Sequence, residues 1–209
     1  MIPFLLFLWR PSRKRTPAYA TSSAGSDWKT WHVRDVETAK DTEDKVEWAK
    51  FSGASWKKDG SGFYYSRYPE PKEGDDFEAA NYFHKVYFHK VGTPQSKDTL
   101  VFEDQENKER GFDAHVTEDG TFLILHVWQG TDRRNRIYYQ QLKKGRVPKT
   151  IKLLDEFDAA YEFIGNKKTV FYFKTDIGAP KGKVIAIDIK KPERKFWKDV
   201  IVEGDDKID

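Results

Sequence analysis

FSGASWKKDGSGFYYSRY (51–68), KVYFHKVGT (85–93) and TLVFE (99–103) decide how this chain is to be read. Phe51–Trp56 and Phe63–Tyr68 are short segments of aromatic and small residues. Between them stands Asp59-Gly60, a dipeptide that accepts the positive φ angles of a tight hairpin turn. Val86, Phe88 and Lys90 alternate with Tyr87, His89 and Val91, which predicts a third strand, and Thr99–Glu103 supplies a fourth. Four short antiparallel strands in about fifty residues form one sheet with edges to protect.

The same unit recurs downstream. Ala114–Thr117 is followed by the turn Glu118-Asp119-Gly120, the apolar run Thr121–Trp128, and further strands over Arg136–Leu142 and Thr150–Leu154. A third pass uses Tyr161–Ile164, the turn Gly165–Lys168, then Thr169–Thr175, Lys183–Ile189 and Trp197–Val202. Upstream, Trp28–Val36 reads as a strand, Glu37–Asp44 as a polar turn and Val46–Trp48 as a short strand. The third strands begin at Val86, Ile137 and Val184, 51 and 47 residues apart, and Trp31 lies 55 residues before Val86. Periods of about 40 to 50 residues with four strands each are the signature of a β-propeller.

The expected fold is therefore all-β, a partial β-propeller. It comprises the outer half of a blade over 18–48, three four-stranded blades over 49–104, 111–156 and 157–203, and a polar tail at 205–209. PEPKEGDDFEAA (69–80) reads as a surface excursion. Three and a half blades fall short of the four to eight that close a ring, so exposed blade faces are expected to favour self-association.

Of the 209 residues, 38% are apolar and 15% aromatic, so the core is built from Trp, Tyr and Phe. Charged residues make up 34%, with both signs mixed and a net charge of only +3, which argues against nucleic-acid and membrane-surface partners. The absence of cysteine excludes disulfides and thiolate metal sites; it fits a cytoplasmic protein and is compatible with a periplasmic one. Pro3–Trp9 is apolar but too short to span a bilayer. Arg10, Arg13, Lys14 and Arg15 follow it, whereas a secretory signal carries its charges first. Residues 1–17 are thus expected to be a disordered leader outside the propeller.

No catalytic constellation emerges. His32, His84, His89, His115 and His126 fall in no metal-binding pattern and read as structural or surface residues, with His84 and His89 on opposite faces of one strand by parity. No serine lies in G-x-S-x-G, and Ser61 of Gly60-Ser61-Gly62 sits in a turn. Asp75-Asp76 and Asp205-Asp206 are adjacent loop carboxylates that would not converge on a reacting atom. Arg133–Arg136 and Lys143-Lys144 are basic loop edges balanced by acidic loops. No catalytic residue, metal ligand or cofactor is expected.

The strings VEWAKFSGASWKKDGSGFYYSRYPEP (46–71), NYFHKVYFHKVGTPQSKDTLVFE (81–103), VTEDGTFLILHVWQGTDRRNRIYYQQL (116–142) and TVFYFKTDIGAPKGKVIAIDI (169–189) resemble the propeller of the prolyl oligopeptidase family of serine peptidases. The likeness runs from about Ala18 to Val202. It implies a propeller that caps an α/β-hydrolase domain, admits short proline-containing peptides and excludes folded proteins. The hydrolase domain carries the family's catalytic Ser, Asp and His, and no position here matches them. By motif, Phe51 and Val101 correspond to positions that line the family's substrate pocket; for Phe51 the competing reading is a plain core residue of an inner strand. The implied activity is cleavage of short peptides after proline, with this chain inactive by itself. The alternative is a truncated propeller that binds a peptide or partner protein through its blade edges.

Overall fold

The computed structural model describes residues 16–22, 26–70, 81–143, 145 and 147–208. The excursion expected over 69–80 falls outside them from residue 71 onward, as does most of the leader, residues 1–15. The strands are β1 (Ala18–Thr21), β2 (Lys29–Asp35), β3 (Lys40–Ala49), β4 (Ser55–Trp56), β5 (Gly62–Arg67), β6 (Lys85–Lys90), β7 (Thr99–Glu103) and β8 (Arg110–Val116). They continue with β9 (Phe122–Gln129), β10 (Arg136–Gln141), β11 (Thr150–Leu154), β12 (Tyr161–Lys167), β13 (Val170–Thr175), β14 (Lys183–Asp188) and β15 (Lys198–Ile201). Two single 3₁₀ turns, Gln95–Lys97 and Arg194–Phe196, are the only helical elements among the described residues.

Three antiparallel sheets result: β1-β2-β3-β5-β6-β7 with β4 on β5, β11-β10-β9-β8, and β12-β13-β14-β15. The chain forms two compact units, 1–116 and 117–209.

In the first unit the hairpin over Asp59-Gly60 is as expected. Gly60 has φ +68°, and Asp59 accepts hydrogen bonds from the Ser61 backbone N–H and hydroxyl at 3.0 and 2.6 Å. Gly62 is needed for a different reason: a Cβ there would come within 2.0 Å of the His89 carbonyl oxygen. Two segments differ from the sequence reading. The polar stretch 37–44 turns only at residues 36–39, where Asp35 accepts from the N–H groups of Glu37 and Thr38 at 2.9 Å. Lys40–Ala49 is then one ten-residue strand, whose polar side chains hid it because one face meets solvent. FSGASW is not a strand throughout; only Ser55-Trp56 pairs, with Tyr64 and Phe63. The β1–β3 meander joins the following strands through a single residue pair, Ala49 with Arg67.

With so little ladder at that junction, side chains hold β3 to the rest. The Gln95 amide takes the place of a strand residue: its Oε1 accepts from Glu47 N–H and its Nε2 donates to the Glu47 carbonyl, both at 3.0 Å. Beneath lies a core of Trp31, Val33, Val46, Trp56, Phe63 and Tyr65. Each such ring or branched chain contributes roughly 1.5–3 kcal/mol when removed from water.

The second unit repeats the device. The core is Phe122, Ile124, Ile137, Tyr139, Leu154, Tyr161, Phe171, Phe173, Ile185 and Ile187 with Ala159. Phe122 meets Phe171 edge-on at 4.9 Å and Tyr139 meets it at 5.4 Å, so β9 and β10 pack face to face on β13. β9 reads FLILHVWQ because both of its faces are covered: Leu123, Leu125 and Val127 are buried as completely as Phe122 and Ile124. The Asn135 amide accepts from Tyr161 N–H at 2.6 Å and donates to the Tyr161 carbonyl at 2.9 Å, fastening one sheet to the next.

Replacing Asn135 with Leu strands a buried N–H and a buried C=O, each costing about 1–3 kcal/mol. Urea unfolding of Asn135→Leu should show a loss of about 2–4 kcal/mol, while Asn166→Leu, at a half-buried site whose amide bonds are exposed to solvent, stays within about 1 kcal/mol of the parent. Equal losses for the two variants would remove the clamp from the account.

Candidate functional site

Phe51 lies in the loop between β3 and β4 and is 48% exposed, so it is not a core residue of an inner strand. Its φ is +53°, the left-handed region that costs a bulky residue on the order of 1–2 kcal/mol. Such a conformation persists only where neighbours impose it, and the neighbours here are fastened one by one. The Lys50 carbonyl lies 3.2 Å from His84 Nε2. Ser52 Oγ donates to the Gly53 carbonyl at 2.8 Å and accepts from Ser66 N–H at 2.7 Å. Gly53 N–H donates to Asp113 Oδ1 at 3.2 Å. Phe51 projects between these anchors.

The Lys50 ammonium lies 5.1 Å from the Phe51 ring centroid and 5.2 Å from that of Trp28, and 3.6 Å from Asp27 Oδ2. Trp28 in turn meets Trp48 and Tyr68 edge-on at 6.1 Å. Trp48 also has a positive φ, +63°. Tyr82 and Phe83 are exposed as well, with Phe83 at φ +59°. Phe51 and Phe83 thus stand next in sequence to the two partners of one hydrogen bond, Lys50 and His84. Exposed, rigidly held rings are the residues that anchor a bound chain. Val101 lies half-buried in β7, which the sheet sets three strands from β4. The sequence reading missed Lys50, Trp28 and His84; the density of aromatic residues over 28–68 was the available signal.

The two histidines buried near this region have opposite chemistry. His84 is 1% exposed, and its Nδ1 accepts from Phe112 N–H at 2.9 Å. Burial pushes its pKa down to about 4, so it is neutral. His89 instead has a carboxylate at each nitrogen: Nδ1 lies 2.8 Å from Asp98 Oδ1 and Nε2 3.0 Å from Asp44 Oδ1. Burial opposes its charge, but the two carboxylates outweigh it and its pKa is raised. Tyr65 OH donates to Asp98 Oδ2 at 2.7 Å, and Gly92 N–H to Asp44 Oδ1 at 2.6 Å. The carboxylates sit on opposite sides of the ring and do not converge on a point. Among the described residues no group of His, Asp or Glu could hold a metal ion.

In the second unit an open groove of about 510 Å³ is lined by residues 152–156, Asp158, Tyr161, Arg194 and Trp197. Its charges are internally matched. Arg194 pairs with Asp158, which also accepts from Tyr161 OH at 2.8 Å.

Repeated antiparallel sheets fastened by side-chain amides, with exposed aromatics displayed on one of them, define a β-propeller domain. The chain belongs to the prolyl oligopeptidase family: the family's N-terminal β-propeller domain matches residues 10–208. It is 36% identical over 194 residues to the prolyl endopeptidase of Elizabethkingia meningoseptica, covering 92% of this chain and 27% of that protein. Prolyl oligopeptidase A of Amanita bisporigera is 35% identical over 203 residues, covering 86% of this chain and 26% of that protein. Among solved structures, a prolyl endopeptidase matches with a TM-score of 0.88 at 29% identity over 98% of this chain and 29% of its own. Prolyl oligopeptidase B of Galerina marginata, bound to a 35-residue hydrolysis and macrocyclization substrate, matches with a TM-score of 0.85 at 30% identity over 96% of this chain and 29% of its own. The chain thus spans about a quarter of the length of these relatives.

Two outcomes are expected. In Phe51→Gly the relief of backbone strain and the larger entropy loss of glycine nearly cancel. Its urea midpoint should correspond to within about 1 kcal/mol of the parent, against about 3–5 kcal/mol lost in Phe63→Ala, whose ring is fully buried. A loss in Phe51→Gly as large as that of Phe63→Ala would make Phe51 a core residue. The histidines set the pH dependence. His84, with its folded pKa lowered, binds fewer protons than the unfolded chain, so its contribution is full above about pH 6.5 and falls away toward pH 4. His89, with its folded pKa raised, contributes fully below about pH 6.5 and loses that contribution as pH rises through its folded value. Urea midpoints should peak between the two windows, and His89→Gln should flatten the alkaline arm; an unchanged alkaline arm in that variant would count against a charged His89.

Proposed function

We propose that this chain is the substrate-admitting propeller portion of a prolyl oligopeptidase-type serine endopeptidase, which cleaves short peptides after proline. The observation that carries the reading is Phe51: an exposed ring on a fastened loop, in a strained conformation that the fold maintains without burying it. In this reading Phe51 contacts the peptide, and Val101 belongs to the same peptide-lining surface at a greater distance across the sheet. The partner is an α/β-hydrolase domain bearing the Ser, Asp and His. None of the serines in these 209 residues sits in the G-x-S-x-G turn that would make it a nucleophile.

A second reading, a module that binds a peptide or a further protein through its blade edges, is favoured by β15. Val200 and Ile201 of that strand are about half exposed, a feature that also suits self-association.

The 209-residue chain, incubated with a fluorescein-labelled proline-containing peptide, should bind it without turnover. Phe51→Ala should weaken binding at least fivefold, about 1 kcal/mol, while leaving the urea midpoint near that of the parent. Binding unaffected by Phe51→Ala, or hydrolysis that survives exhaustive purification, would sink the proposal.

A further inference from the structure

The dihedral φ of Phe51 is the rotation between the Lys50–Phe51 peptide plane and the rest of the residue. Fixing the Lys50 carbonyl on one side and Ser52 on the other therefore constrains that rotation, and with it the direction in which the Phe51 side chain leaves the backbone. The group that touches this carbonyl is His84. Its tautomer follows from its other nitrogen: a backbone N–H can only donate, and Phe112 N–H is directed at Nδ1. Nδ1 therefore carries the lone pair, and the proton lies on Nε2, facing the Lys50 carbonyl at 3.2 Å. The imidazole cannot swing away, because its ring lies against Tyr68 at 4.3 Å and stacks on Phe112 at 6.2 Å. On the far side of Phe51, Ser52 is held in the same way by Ser66 N–H.

We propose that His84 is a positioning residue: its Nε2–H holds the peptide plane before Phe51 and so presents the Phe51 ring for contact with a bound peptide. Burial requires both nitrogens of a neutral imidazole to be paired. What it does not dictate is the identity of the donor's partner, here the carbonyl immediately before an exposed left-handed aromatic. The inference deepens the proposed function and rests on the reading that Phe51 meets the peptide.

Two substitutions separate the two bonds of the imidazole. In His84→Gln the amide nitrogen takes the place of Nε2 and still donates to Lys50. In His84→Asn the amide oxygen takes the place of Nδ1 and still accepts from Phe112, but no donor reaches Lys50. Both remove the ring and should lower the urea midpoint alike. In the 209-residue chain, His84→Asn should lose the left-handed backbone chemical shifts of Phe51 and bind the labelled proline-containing peptide at least fivefold more weakly, whereas His84→Gln should retain both. The proposal is overturned if His84→Asn keeps those shifts, or if the two variants lose binding equally. The unmodified chain offers a check that needs no variant: long-range ¹H–¹⁵N spectra of the imidazole should show the Nε2–H tautomer, and the Nδ1–H tautomer would overturn the proposal as well. If His84→Asn releases Phe51 while Phe51→Ala leaves peptide binding unchanged, the positioning role stands and the peptide-contact reading fails.

Discussion

Within the first unit the β1–β3 meander and the strands after it share almost no backbone ladder, and within the second unit the described strands of one sheet share none with those of the next. A strand pair sets its own register through regularly spaced N–H···O=C bonds, but these junctions have only isolated backbone bonds, such as Asn135 N–H to the Ala159 carbonyl at 3.1 Å, and otherwise side chains for the purpose. Aromatic packing supplies the attraction without direction, because burial of area does not distinguish one offset from the next. The direction comes from amides. Gln95 grips both backbone groups of Glu47, and Asn135 grips both of Tyr161. Each presents one donor and one acceptor at the spacing of a strand residue, so a shift by a single position would leave two buried polar groups unpaired. Ser55 Oγ, accepting from Val116 N–H at 2.8 Å, and His84, accepting from Phe112 N–H, fasten β8 by the same logic.

The buried titratable groups obey this constraint too. His84 stitches two backbone groups together and must be neutral, since its Nδ1 lone pair is the acceptor. His89 joins two carboxylates, which favour its protonated form and raise its pKa against the effect of burial. Asp44 belongs to β3 and Asp98 to the approach to β7, so the imidazole ring bridges the meander to the four strands beyond it, across the junction where Ala49 pairs with Arg67. Chemically identical residues five positions apart thus have their pKa values moved in opposite directions, one lowered by burial and the other raised by its carboxylates.

The repeat and the turns could be read from the chain alone because they are local. Asp59-Gly60 and Asp119-Gly120 announce hairpins through glycine's freedom at positive φ, and both glycines adopt it, at +68° and +71°. The apolar runs of β9 and β14 are unambiguous because both faces of their central residues are buried, and β13 is legible through its alternation of buried and half-buried positions. Lys40–Ala49 was harder. Its buried positions are Asp44, Val46 and Ala49, and a buried aspartate looks like a turn residue until its partners, Gly92 N–H and His89, arrive from more than forty residues away.

Phe51 marks the limit of local reading. Resemblance singled out the position, but alternation placed it in a strand, where its ring would be packed. What places it elsewhere is a set of bonds from His84, Ser66 and Asp113, fourteen to sixty residues away along the chain. No propensity favours a phenylalanine at φ +53°; three tertiary contacts impose it, and their combined hold must exceed the strain. A fold that spends such contacts to keep a large apolar ring half in water gains nothing in stability from that ring. The arrangement makes physical sense when the exposed face is completed by something that binds there, which is the physical ground for the peptide contact proposed above.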